Sequence, residues 1–191
     1  MSDAGNNNYL DTMAKANMLP YGVDFPNGNT GRFTNGKTVI DFIAEMLGLP
    51  FPPPYMSLTN AMRAKQITGV NYASASSGIL PETASHVGKC LTLDQQVNLF
   101  ERTVKEDLPK IFKHPTLVSR HIAKSIFTVW FGGNDYANNY LSDHYQSGKK
   151  YSPQRFGELL RDHLAEKLKV QTGPKELRTN LTINKVPRLV L

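Results

Sequence analysis

Seven residues, Ser125 to Phe131 (SIFTVWF), constrain the fold more tightly than any other stretch of the chain. The run is short, uncharged and rich in β-branched and aromatic side chains, and Gly132-Gly133 follows at once. It reads as a strand buried on both faces, the pattern of parallel sheets. Parallel strands need crossover helices between them. A second apolar run, Ile67 to Ala73 (ITGVNYA), is a strand candidate that ends in a Ser/Gly-rich bend, SASSG.

Helical periodicity fills the intervals. Leu93, Val97, Phe100, Val104 and Leu108 form one stripe, with Thr92 or Asp94 as its cap and Pro109 as its limit. From Thr38, the residues Val39, Ile43, Met46 and Leu47 fall at helical spacing; Asn35 or Thr34 caps that helix, and Gly48 with Pro50 stops it. A short helix is predicted over Leu117 to Ala123. Ser152-Pro153 places a cap and a first-turn proline before Phe156, Leu159, Leu160, Leu164 and Leu168. Alternating helices and apolar strands predict an α/β domain, three-layered α/β/α around a parallel sheet. The domain spans residues 1–171. After it the periodicity fails, and 172–191 reads as a divergent tail whose best strand candidate is NLTINKV, with an Asn180-Leu181-Thr182 sequon.

Composition excludes several classes. One cysteine, Cys90, rules out a disulfide framework within the chain and a cysteine metal cluster. No apolar run approaches the roughly 18 residues of a membrane span. No secretory leader opens the sequence, so the chain as written is expected in the cytosol. The formal charge of +6 comes from basic residues interleaved with Glu101, Glu106, Asp107, Asp162 and Glu166, which is how solvated helix faces look. Nucleic acid is therefore not an expected partner.

Two turns carry candidate chemistry. Trp130 to Leu141 (WFGGNDYANNYL) runs from the apolar strand into two glycines, then Asn134-Asp135. Ligands of parallel α/β sheets bind beyond the carboxyl ends of the strands, and glycines there let a substrate approach the backbone. The Asn134 amide can aim N–H donors at an oxyanion; a plain Asx-turn ending the strand would look the same. The Ser74 to Gly78 turn offers a second corner of backbone N–H groups, with Gly78 giving access. The chain opens on MSDAGNNNYL, a run of Asp, Gly and Asn that is turn chemistry.

The stretches DAGNNNYL, PYGVDFP…TGRFTNGKTVIDFIAEMLGLPFPPPY, GVNYASASSGIL and FGGNDYANNYL, in this order and spacing, resemble the plant-type GDSL esterase/lipases of the SGNH hydrolase superfamily. The resemblance covers roughly residues 2 to 170. It implies a flavodoxin-like α/β/α fold and a serine-nucleophile ester hydrolase that needs no metal or organic cofactor, acts on ester or lipid small molecules, and is typically secreted. The first family block reads F-G-D-S-L-x-D-x-G-N-N. Asp3, Gly5, Asn6 and Asn7 match its tail, so the nucleophilic Ser and its strand are expected just before Met1. The Asp-x-x-His block that carries the other two triad residues has no counterpart in the chain. The fold is thus expected to be incomplete and the chain inactive as written, or a non-catalytic binder of acyl groups or proteins. Gly78 resembles the glycine whose backbone N–H donates to the oxyanion, and Asn134 the residue whose side chain does so. Ala75 and Ser76 stand where many relatives carry glycines.

Overall fold

The computed structural model describes residues 2–170. The tail over 172–191, with its NLTINKV candidate and its sequon, lies outside them. No described helix is long and apolar enough to cross a membrane.

The first helix, α1 (Val39–Met46), starts at neither Thr34 nor Asn35. Thr38 caps it through a reciprocal box: its hydroxyl accepts from the Asp41 N–H, and the Asp41 carboxylate accepts from the Thr38 N–H. Gly48, at φ +67°, ends it. Helix α2 (Leu93–Arg102) is capped by Thr92 with Gln95 in the same arrangement. Pro109 does not stop the helical path. The backbone widens into a π turn at Thr103–Asp107 and continues as α3 (Leu108–Phe112). Pro109 then lies in the first turn of α3, where its missing N–H is not needed. Helix α4 covers Pro115–Ala123 and α5 covers Pro153–Val170, the latter begun by the Ser152 hydroxyl accepting from the Arg155 N–H.

Ile79, Leu80, Leu93, Phe156 and Leu160 form the buried core. Phe156 is wholly enclosed, with Tyr140 at 4.7 Å and Tyr136 at 5.3 Å between ring centroids. Arg32, from the TGRFTNGKT stretch, is a second organising centre. Its guanidinium bonds both Asp41 oxygens at 2.8 and 3.0 Å, donates to the Ala4 carbonyl, and lies over the Phe25 ring. One buried fork thus ties the N-terminal loop to α1.

The parallel sheet is where expectation and structure part. Among the described residues there are only isolated bridges, Ala4 with Arg32, Thr12 with Gly88, and Pro54 with Asn71. The Ile67–Ala73 run is extended only after a bend at Thr68 and a φ of +121° at Gly69, and the backbone pairing it has is with Pro53–Tyr55, through the Asn71 N–H and carbonyl. Elsewhere, side-chain amides take the place of a neighbouring strand. Asn6 donates to the carbonyls of Asn71 and Ala73 at 2.9 and 2.8 Å, and Asn7 donates to that of Ala75 at 3.1 Å. The Ser125–Phe131 run is also extended, yet it is not buried: Ile126 is 68% exposed and Trp130 64%. No described strand lies beside it to pair its backbone or cover its faces.

Candidate active site

Three turn segments meet around the Ser74–Leu80 turn. The N-terminal loop enters from one side through Asp3, a buried residue. One Asp3 oxygen accepts from the Gly5 and Asn6 N–H groups at 2.7 and 2.8 Å, and the other from the Ala75 N–H at 2.8 Å. Burial pushes the Asp3 carboxyl above the ordinary carboxylate range, against the pull of these N–H donors. The Ser74 hydroxyl bonds Asn7 and accepts from the Leu91 N–H, so the turn is anchored at its start.

The Gly132–Asn139 segment enters from the other side. Gly132, at φ +103°, has open space where a side chain would stand, and so has Gly133. Conformation explains the first glycine, and both leave the strand end accessible. Asn134 donates from Nδ2 to the Ser77 carbonyl at 2.8 Å, and its Oδ1 accepts from Asn138 Nδ2 at 3.1 Å. The Ser77 carbonyl, which can only accept, settles which way the Asn134 amide faces: its N–H₂ group points at the turn. The Ser77–Gly78 peptide shows its carbonyl to Asn134, so across a trans amide the Gly78 N–H points the other way.

Gly78 is buried, and access is not what requires a glycine there. A Cβ would fall 2.4 Å from Oδ1 of Asp135 and 2.6 Å from Cγ2 of Thr83. Ser76, the turn residue between Ala75 and Ser77, adopts φ +66°, a conformation that favours glycine. Gly78 and Asn134 are therefore brought together, through the Ser77 carbonyl and through Asp135. Asp135, Asn138, Asp3, Asn6 and Asn7 are the residues that sequence reasoning passed over as site builders. Their signal was present as a density of Asn and Asp, read as turn formation and, for Asp3, Asn6 and Asn7, as the tail of the first family block.

Beside Asn134 and Ser77 lies an apolar groove of about 590 Å³ between the two extended runs, lined by Tyr72, Phe100, Phe127 and Trp130 among others. Its inner wall is aromatic: the Phe100 ring stands edge-on to Phe127 at 5.4 Å and to Tyr72 at 6.1 Å. Of the histidines, only His121 lines the groove. His114 caps α4, His121 packs on the Phe112 ring, and His86 stacks on His144 at 4.3 Å.

Comparison with known proteins agrees with this arrangement of blocks. The profile of the GDSL-like Lipase/Acylhydrolase family matches residues 2–169. GDSL esterase/lipase 7 of Arabidopsis thaliana is 45% identical over 159 residues, 83% of this chain and 43% of the relative. GDSL esterase/lipase At1g71691 of the same plant is 42% identical over 166 residues, 87% of this chain and 42% of the relative. The chain spans less than half the length of these curated relatives. No solved structure matches it. The family implies an α/β hydrolase-like fold, of which the described residues carry the helices and turn blocks without a sheet. With all four of its sequence blocks covered by the profile, the chain belongs to the GDSL lipase/acylhydrolase family.

Proposed function

We propose that this domain is part of an ester hydrolase with a serine nucleophile, and that the residues present supply its oxyanion-binding half. The observation that carries this reading is Asn134: its amide N–H₂ group is aimed by the Ser77 carbonyl, its oxygen is held by Asn138, and it stands against the Ser77–Gly78 turn at the end of an apolar groove. As a serine attacks an ester carbonyl, negative charge grows on the carbonyl oxygen, and preorganised N–H donors stabilise it. Asn134 uses one N–H on the Ser77 carbonyl and has a second to give. The backbone donor comes from the Ser76–Gly78 turn. For Gly78 to join Asn134 on one oxygen, the Ser77–Gly78 peptide turns, and the substrate oxygen replaces Ser77 as the acceptor of Asn134.

The attacking serine and the His–Asp pair that moves its proton are not among the 191 residues, which contain neither Gly-Asp-Ser nor Asp-x-x-His. Loss of the nucleophile and its base costs on the order of 10⁶ in kcat. The chain by itself is thus proposed to leave short-chain p-nitrophenyl esters unhydrolysed above a matched blank. A protein joining these residues to both missing blocks hydrolyses them, and Asn134→Ala in that protein lowers kcat by about 10²–10³-fold. A change in kcat within about threefold there refutes the role of Asn134.

The groove favours a second reading, an acyl binder without turnover. Saturable binding of a fluorescent long-chain fatty acid by the unmodified chain, abolished by Phe127→Asp, selects it.

A further inference from the structure

We propose that Asp135 is the positioning residue of the oxyanion turn: its buried carboxylate fixes the Ile79–Leu80 backbone beside Asn134 and occupies the space that makes residue 78 a glycine. The catalytic meaning of this rests on the ester-hydrolase reading. The clamp itself rests on geometry.

Asp135 is completely buried. Its Oδ2 accepts from the Ile79 N–H at 2.8 Å, and its Oδ1 accepts from the Leu80 N–H at 3.0 Å and the Thr83 hydroxyl at 2.8 Å. Two successive backbone N–H groups converging on one carboxylate make a concave anion seat, and charge-assisted bonds of this kind are stronger than neutral ones. Asn139 donates to the Thr83 hydroxyl oxygen at 3.2 Å, which closes the contact back onto the segment that carries Asp135.

The neighbouring residue gives the clamp its consequence. Asn134 holds the Ser77 carbonyl, and Asp135 holds the next amides but one along the same turn. Both belong to one helical turn, Gly133–Asp135, so the distance between their grips is set by the backbone. The turn cannot slide relative to the Asn134 amide without breaking the bonds to Asp135. The closest approach falls at Gly78, whose Cα faces the carboxylate: a Cβ there would meet Oδ1 at 2.4 Å and Cγ at 2.7 Å. The other face of the contact is the Thr83 side chain, so the carboxylate has no free direction in which to retreat. Asp135 does not line the groove beside Asn134. Its part is thus to hold a donor in place.

Two measurements on the 191-residue chain test this. The first is a thermal double-mutant cycle of Gly78→Ala and Asp135→Ala. Gly78→Ala alone is expected to lower Tm by about 5 °C or more; in the Asp135→Ala background the same change costs distinctly less, because the closer of the two clashes is gone and only that with Thr83 Cγ2 is left. Additive shifts overturn the clamp. If Asp135→Ala does not fold, Asp135→Ser replaces it in the cycle under the same criterion. The second is the NMR spectrum of Asp135→Asn, which keeps the shape and removes the charge. The Ile79 and Leu80 amides are expected to shift and to exchange about tenfold faster or more, and the Asn134 side-chain pair to move with them. Movement of Ile79 and Leu80 with an unmoved Asn134 pair makes Asp135 a structural residue only and overturns the positioning role. Loss of the hydrolase reading in the kinetic test above leaves this coupling intact, whereas additive Tm shifts leave the hydrolase reading untouched.

Discussion

Asn6→Ala isolates the substitution of a side-chain amide for a strand neighbour. The Asn6 side chain is fully buried and uses every direction it has: Nδ2 donates to the carbonyls of Asn71 and Ala73, and Oδ1 accepts from the Met56 N–H at 2.9 Å. Truncation orphans one backbone acceptor, the Ala73 carbonyl, and one donor, the Met56 N–H, while the Asn71 carbonyl keeps its bond from the Tyr55 N–H. Each unsatisfied buried group costs about 1–3 kcal/mol. Water entering the vacated space offsets part of this, since the site is polar and has room for a molecule with several partners. The net loss is expected at about 2–4 kcal/mol, a large share of the roughly 5–15 kcal/mol that holds a domain folded. Asn6→Asp should be at least as damaging, because a carboxylate keeps the acceptor for Met56 but turns negative oxygen toward two carbonyls. Urea unfolding followed by far-UV circular dichroism gives the stability change, and amide exchange gives its location: the Met56 N–H should lose its protection in both variants. A loss below about 1 kcal/mol with Met56 still protected would refute the view that Asn6 stands in for a strand.

Three further outcomes follow from the packing. Phe156→Ala removes the wholly enclosed ring of the core, with an expected cost of about 3–5 kcal/mol and a drop in Tm of roughly 6–20 °C by calorimetry. Ile126→Lys, at a position 68% exposed, should change stability by less than about 0.5 kcal/mol; a loss several times larger would restore the buried-strand reading of Ser125–Phe131. Burial raises the Asp41 carboxyl, but the bonds from Arg32 and Thr38 outweigh it and hold the group below its ordinary value. The stabilisation Asp41 contributes is therefore complete above the unfolded value, about 3.9, and is lost as pH falls through the lower folded value. Acid unfolding of Asp41→Asn should accordingly lose the Asp41 share of the dependence on pH in that window.

The helices were legible because their signals are local. Phe156, Leu160 and Leu164 recur at helical spacing after Ser152-Pro153, and α5 forms there. Capping was legible in kind but displaced in place at α1, because Thr34, Asn35 and Thr38 are equally good caps in isolation; Asp41 selects Thr38 by completing the box. Pro109 misled because a proline stops an α-helix only if the preceding register demands its N–H, and the π turn at Thr103–Asp107 had already changed that register. The strand readings misled for a deeper reason. Apolar content in Ser125–Phe131 states what the segment is suited to lie between, while pairing and burial depend on neighbours that a local pattern does not contain.

The site divides in the same way. Sequence alone determined the family blocks, Asn134 as a candidate donor and the turn that carries Gly78, because residue type and spacing record which groups are offered and in what order. Tertiary structure decided what those groups face. Asn134 meets the Ser77 carbonyl across 57 residues of sequence, and Asp135 meets the amides of Ile79 and Leu80 across 56 and 55. A glycine read as an opening for substrate proves to be the space filled by a carboxylate, and an Asn run read as a turn proves to be the partner of an extended segment. Both depend on hydrogen-bond complementarity between distant segments, which becomes physical only when packing brings them within reach.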